Sequence, residues 1–101
     1  MTDVKTDSRK AAEVRIHELI AVLKTQPASA GRDTMIDECE ALARAIAAFH
    51  MEGIRFRMFN VDRALTKGTL PLPSEATTAF AEARKHLEAA GFQTRSHQAP
   101  G

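Results

Sequence analysis

Most large apolar residues outside the N-terminal part of the chain lie in one stretch, from Asp33 to Gly68. Apolar positions recur there at steps of three and four residues, the spacing of one face of an α-helix. This face consists of Ala43, Ala47, His50, Ile54, Met58, Val61 and Leu65. A second row lies beside it in the first half: Met35, Cys39, Leu42, Ile46 and Phe49. The pattern predicts one long central helix, capped by Asp33 or Thr34 and ending at Lys67 with a left-handed Gly68.

Gly53 leaves an alternative open in the middle of this stretch. A helix could end there with Gly53 in the left-handed conformation and Ile54 folded back on Phe49. The residues that follow, 54–58, alternate apolar and basic side chains, which is a strand pattern. The continuous helix is favoured because the apolar residues beyond this run keep the helical step.

A shorter helix is predicted before the central one. Thr6, Asp7 or Ser8 caps it, and it runs to about Thr25. One face is apolar and suits packing against a neighbour. This face contains Ala12, Ile16, Leu19, Ile20 and Leu23. Residues 26–32 form a connection that is long enough only for an antiparallel neighbour.

A third helix is predicted after the two prolines of residues 68–74, with Ser74 as its cap. Its end has the clearest local signal in the chain. Gly91 occupies a left-handed position, and Phe92 can then contact Leu87, which closes a Schellman motif. The apolar face of this helix is Ala76, Ala79, Phe80, Ala83, Leu87 and Ala90.

These elements predict an all-α fold in a single domain of 101 residues, with flexible tails at about 1–6 and 93–101. The architecture expected is a three-helix bundle with a long central helix, completed by dimerisation. Dimerisation is expected because the flanking helices carry only one apolar stripe each, whereas the central helix carries two apolar sectors. Burying the second sector requires a partner.

The expected contact surface of the dimer lies in the second half of the central helix. It comprises Phe49, Met51, Gly53, Phe56, Met58 and Phe59. Acidic side chains lie at one end of the helix and basic ones at the other, which compensation of the helix dipole and ordinary solvated faces explain. The alternative is an antiparallel crossing of two copies about an axis near residues 50–53, with the acidic end of one beside the basic end of the other. The acidic group is Asp33, Asp37, Glu38 and Glu40, and the basic group is Arg55, Arg57, Arg63 and Lys67.

Composition and motifs limit the partners, the compartment and the kinds of site that the sequence predicts. The net charge of +1 disfavours nucleic acid and anionic membranes as partners. A single cysteine, Cys39, excludes an internal disulfide and fits a reducing compartment. Its place on an apolar row predicts a buried, inert thiol. The polar N-terminus and the lack of a long apolar run predict a cytoplasmic protein. No motif nominates a catalytic residue, a metal site or a cofactor.

The function that the sequence favours is a non-enzymatic cytoplasmic interaction or adaptor module, acting as a homodimer through its central helix. One alternative is a small-molecule or metal-binding protein with a pocket near His50, Arg55 and Arg57, where guanidinium groups suit an anionic ligand. A second alternative is a nucleic-acid-binding regulator that uses the basic residues with Phe56 and Phe59. No motif is specific enough to assign the chain to a family.

Overall fold

The computed structural model describes residues 4–68 and 70–92, with side chains from Asp7 onward. These residues form four α-helices: α1 (Val4–Lys24), α2 (Ala30–Ala47), α3 (Met51–Lys67) and α4 (Ser74–Ala89). All regular secondary structure in the described ranges is α-helical, which confirms the predicted all-α class. None of these four helices has the length and apolar character needed to cross a membrane.

The core forms where the predicted apolar faces meet. Helix α1 lies between α2 and α4, and α3 packs mainly against α2. The body measures 43 × 36 × 20 Å. Every residue of the predicted faces of α1 and α4 is buried, as expected. The central segment contributes Met35, Cys39, Leu42, Ile46, Ile54, Met58 and Val61 to the same core.

Several helix ends differ from the prediction. Helix α2 begins at Ala30, because Ser29 is its cap and accepts a hydrogen bond from the Arg32 N–H at 3.0 Å. Asp33 and Thr34 therefore lie inside the helix. Helix α1 already includes residues 4–6, which the sequence assigned to a tail. The remaining predicted tail residues, 1–3 and 93–101, lie outside the described residues.

The glycines and caps near α4 give a mixed outcome. Gly91 is left-handed, with φ 94°, and Phe92 N–H donates to the Leu87 carbonyl at 2.9 Å, so the predicted Schellman motif is confirmed. Ser74 does not cap α4, because the cap is Pro73 and Ser74 is the first helical residue. Gly68 is extended, not left-handed. Glycine is needed there because a Cβ atom would collide with the Ala64 carbonyl oxygen.

The long central helix is the main error of the prediction. The segment is two helices, α2 and α3, joined by Ala48, Phe49 and His50. The strand alternative is also wrong, since residues 54–58 are helical. Gly53, which the alternative placed at a left-handed helix end, lies instead in the first turn of α3. The chain folds back on itself, and we refer to α2, the turn and α3 together as the hairpin.

Phe49 makes the turn by adopting the conformation expected of a glycine. Its φ is 58°, and among the described residues it is the one residue other than glycine whose φ is positive. His50 N–H donates to the Ala45 carbonyl at 3.0 Å and Phe49 N–H to the Ile46 carbonyl at 3.2 Å, which together make a Schellman motif. A left-handed residue with a side chain costs about 1–2 kcal/mol, so neighbouring contacts must stabilise it.

Arg9 of α1 supplies that stabilisation. Its guanidinium carbon lies 4.4 Å from the centre of the Phe49 ring. Its Nη1 donates to the Ile46 carbonyl at 3.3 Å, at the negative end of the α2 dipole. Among the side chains that the structure describes, Arg9 is the one charged residue that is buried, at 8% exposure. The Glu13 carboxylate lies 3.5 Å from its Nη1. The Phe92 ring adds a contact with Phe49 at 6.3 Å between ring centres.

Replacing Arg9 by Met keeps an apolar stem but removes both the hydrogen bond and the stacking. We expect Arg9→Met to lower the free energy of unfolding by about 2 kcal/mol, because a partly desolvated cation–π contact and a charged hydrogen bond each contribute about 1 kcal/mol or more. Urea unfolding followed by circular dichroism measures this change. Arg15→Met is the matched control: Arg15 lies on the same helix with an exposed ion pair to Glu18. Equal losses in the two variants would contradict the role given to Arg9.

Candidate functional site

His50 and Gly53 build the entrance to α3. His50 is the N-cap, and its Nδ1 accepts a hydrogen bond from the Gly53 N–H at 2.9 Å. A Cβ atom at position 53 would lie 2.5 Å from that nitrogen and 3.3 Å from the Ala45 Cβ. Glycine is therefore needed for the cap and for the close approach of α3 to α2, not for a left-handed backbone.

The hairpin places the acidic end of the segment beside its basic end within one chain. Glu38 of α2 accepts a hydrogen bond from Arg57 of α3 at 2.8 Å and another from the Asn60 amide at 3.3 Å. Asp62 of α3 lies 3.7 Å from Arg84, which links α3 to α4. One acid–base pair of the charge pattern that predicted two crossing copies, Glu38 with Arg57, thus forms within a single chain.

The residues of the predicted contact surface separate into two groups. Met51, Phe49 and Phe56 are exposed, at 56%, 50% and 40% of their surface, and we refer to these three as the corner surface. Met58 is fully buried inside the chain, so it cannot belong to an exposed surface of this fold. Phe59 is half-buried, with the Arg63 guanidinium 5.4 Å from its ring centre. Gly53 is half-buried in the helix entrance described above.

An open groove of about 660 Å³ runs between α2 and α3 next to this corner. Its lining includes small residues, the Phe56 ring, and charged side chains of both signs. The lining residues are Ala41, Arg44, Ala45, Ala48, His50, Glu52, Gly53, Phe56 and Arg57.

The residues nominated for a ligand are only partly brought together. His50 and Arg57 line the groove, but Arg55 does not. Arg55 lies 3.7 Å from Glu52, and Arg57 is already paired with Glu38. Each arginine therefore has a carboxylate close by, which reduces its attraction for an anionic ligand. No three potential ligand side chains among the described residues are close enough to hold a metal ion.

Cys39 is buried and has no exposed surface. Removal from water raises the pKa of its thiol from 9.0 to about 12, and the negative charges of Glu38 and Glu40 act in the same direction. A thiol with so high a pKa is almost entirely protonated near neutral pH. Its chemistry is that of a small apolar side chain, as the apolar row predicted.

Two residues that shape the site gave no usable signal in the sequence. Arg9 acts on Ile46 and Phe49 from another helix, so no local pattern could connect them. Arg44 lies in the last turn of α2, where a basic residue is expected for dipole compensation, and it also lines the groove. Dipole compensation alone is enough to explain a basic residue at this point in the sequence, so the place of Arg44 beside the groove gives no separate signal.

Replacing His50 by Ala removes the side-chain cap of α3. We expect His50→Ala to lower the free energy of unfolding by about 1 kcal/mol, whereas His50→Asn keeps an acceptor at the cap and loses much less. Thermal unfolding of the two variants checks this difference. His17→Ala is a control, because His17 is exposed on α1 and lies 3.8 Å from Glu13. The capping role would be refuted if Asn and Ala at position 50 destabilised the chain equally.

The raised pKa of Cys39 predicts a loss of stability in alkali. The folded chain keeps this proton up to a pKa of about 12, whereas the unfolded thiol loses it above 9.0. The contribution is complete below the unfolded pKa and is lost as pH rises towards the folded one. Urea unfolding at pH values of about 7.5 and 10 should show a steeper fall for the wild type than for Cys39→Ala. Parallel slopes in the two proteins would contradict the burial of a protonated thiol.

The hairpin turn thus combines a capped helix entrance, an apolar corner surface and a groove whose lining includes small residues. Comparison of the chain with models of protein families, with curated proteins and with solved structures finds no match.

Proposed function

We propose that this chain is a non-enzymatic, cytoplasmic interaction module that acts as a homodimer through its central segment, the hairpin. The observation that carries the proposal is the corner surface, where Phe49, Met51 and Phe56 expose large apolar area within eight residues of the chain. Fully burying an exposed side chain of this size is favourable by about 1.5–3 kcal/mol. Each of the three is already about half covered, so a second copy gains only part of that value at each position, from three positions on each of two copies.

A second copy suits this surface because the groove beside it is lined by small side chains and by charges of both signs. Small side chains let helices approach closely, and in the proposed dimer Phe56 of each copy packs into the groove of the other. Arg44 and Glu52 line the same groove, so a twofold axis can pair each arginine with the other copy's glutamate. Both sides of the contact then come from one surface, as an isologous dimer requires.

The cytoplasmic assignment rests on the cysteine content. The sequence contains only Cys39, and that thiol is buried and protonated. Chains without disulfides are typical of reducing compartments. The alternatives of an anionic ligand and of nucleic acid have weaker support, because Arg55 and Arg57 both lie beside carboxylates of the same chain.

The dimer is tested by adding a charge to the corner surface. Met51→Glu introduces a carboxylate into the first turn of α3, where the helix dipole favours it, so the fold is expected to survive. Burying that charge between copies is costly, and we expect the dissociation constant to rise at least about tenfold. Sedimentation velocity on wild type and variant measures the change.

Val14→Glu is the matched control, because Val14 on α1 is 55% exposed, almost the same as Met51 at 56%. This variant should remain as dimeric as the wild type. A wild-type chain that stays monomeric at about 100 μM would overturn the proposed function. Equal weakening by both substitutions would remove the corner surface from the interface.

A further inference from the structure

The turn of the hairpin lacks the residues that usually stop a helix. Ala48, Phe49 and His50 include neither glycine nor proline, and the apolar spacing of the segment continues through them at the helical step. Gly53 is already helical in α3. The feature that separates the two helices is the left-handed φ of 58° at Phe49, a conformation that a phenylalanine rarely adopts. A continuous helix is therefore a second backbone that this segment can adopt at low cost.

Opening the turn within a single chain would destroy the packing of α3. Ile54, Met58 and Val61 are fully buried, and the helix that carries them packs mainly against α2. The ion pair between Glu38 and Arg57 would also be broken. A second open copy can restore every one of these contacts, because its α3 offers the same side chains in the same antiparallel order.

We propose that the homodimer forms by exchange of α3 together with α4, because only residues 68–73 connect these two helices, and α4 then packs against α1 of the other copy. In each copy α2 and α3 join into one helix, and the α3 half packs against α2 of the other copy. Glu38 of each chain then pairs with Arg57 of the other, and the buried side of α3 becomes part of the interface. This inference rests on the proposed homodimer and specifies how its two chains are connected.

The exchange also explains the position of the corner surface. The two opened turns lie next to each other at the twofold axis, so Phe49 and Met51 of both copies meet there. Strain in a short hinge favours exchange of this kind. Arg9 acts in the opposite direction, because its contacts with Ile46 and Phe49 stabilise the closed hairpin. The balance between the closed and the exchanged form is therefore set at the turn.

Cross-linking distinguishes the exchanged dimer from a dimer of closed hairpins. Thr34 on α2 and Lys67 on α3 are both exposed and line one groove, so cysteines at these positions are neighbours wherever α3 packs on α2. The chain carries Thr34→Cys and Lys67→Cys with Cys39→Ala, which removes the native thiol. It is unfolded in urea, refolded, and treated with a short bis-maleimide. Sedimentation gives its oligomeric state, and a denaturing gel gives the mass of the cross-linked product.

Exchange predicts a dimer by sedimentation and a cross-linked product of twice the chain mass on the gel. A dimer whose cross-links stay within single chains overturns the exchange and leaves the proposed function standing. A monomer by sedimentation overturns both. The single variant Thr34→Cys, in the same Cys39→Ala background, measures random reaction between chains and should give little product of double mass.

Two substitutions near the turn should shift the balance in opposite directions. Gly53→Ala places a Cβ atom against the His50 cap of the closed form but fits inside a continuous helix, so the dimer should tighten on the order of tenfold. Phe49→Gly removes the strain of the left-handed turn and weakens a continuous helix, so the dimer should loosen by a similar factor. Shifts in the reverse directions would contradict the exchange, as would two unchanged dissociation constants.

Discussion

The Arg9 guanidinium joins α1 to the end of α2 and determines how the hairpin is held together. A charged group almost removed from water is costly unless its surroundings replace the lost hydration. Here a carbonyl, a carboxylate and an aromatic ring surround it. The same contact holds Phe49 in a conformation that this residue would not adopt alone. The first helix therefore decides where the central segment turns.

Once the turn is fixed, the contacts between α2 and α3 follow, because the two helices lie side by side. Helix α3 returns along α2, so the acidic and basic ends of the segment meet in one chain and Glu38 contacts Arg57. The side of α3 that carries Ile54, Met58 and Val61 faces inward. The apolar residues nearest the turn remain outside the packed core and stay about half exposed, although Arg9 and Phe92 cover part of Phe49. The surface proposed for a second copy is thus a product of the turn itself.

The parts of the fold that could be predicted from sequence are those determined by local pattern. The apolar stripes of α1 and α4 repeat at helical spacing over several turns, and Gly91 marks a helix end through its own conformational freedom. The turn at Phe49 could not be predicted, because it depends on an arginine 37 residues away from Ile46. Gly53 drew attention to the right region for the wrong reason, since its role is to make room for the His50 cap.

For the candidate site, the sequence predicts which residues are involved better than it predicts where the fold places them. An excess of large apolar side chains in the segment was visible, and three of them are exposed. Their division into buried and exposed members was not, since a helical wheel cannot tell which side α2 will cover when the chain folds back. Met58 was therefore placed on the surface with Phe56. Arg44 was missed because the groove exists only between two packed helices.

A single spin label on each chain tests directly whether two copies meet at the turn between α2 and α3. With Cys39→Ala and Met51→Cys, each chain carries one label beside the turn, so any dipolar coupling must come from another copy. If the turns meet, the label-to-label distance should be well defined and below about 25 Å, which corresponds to two helices in contact plus the label linkers. An absence of dipolar coupling at a concentration where the chain is dimeric would contradict a contact between the two turns.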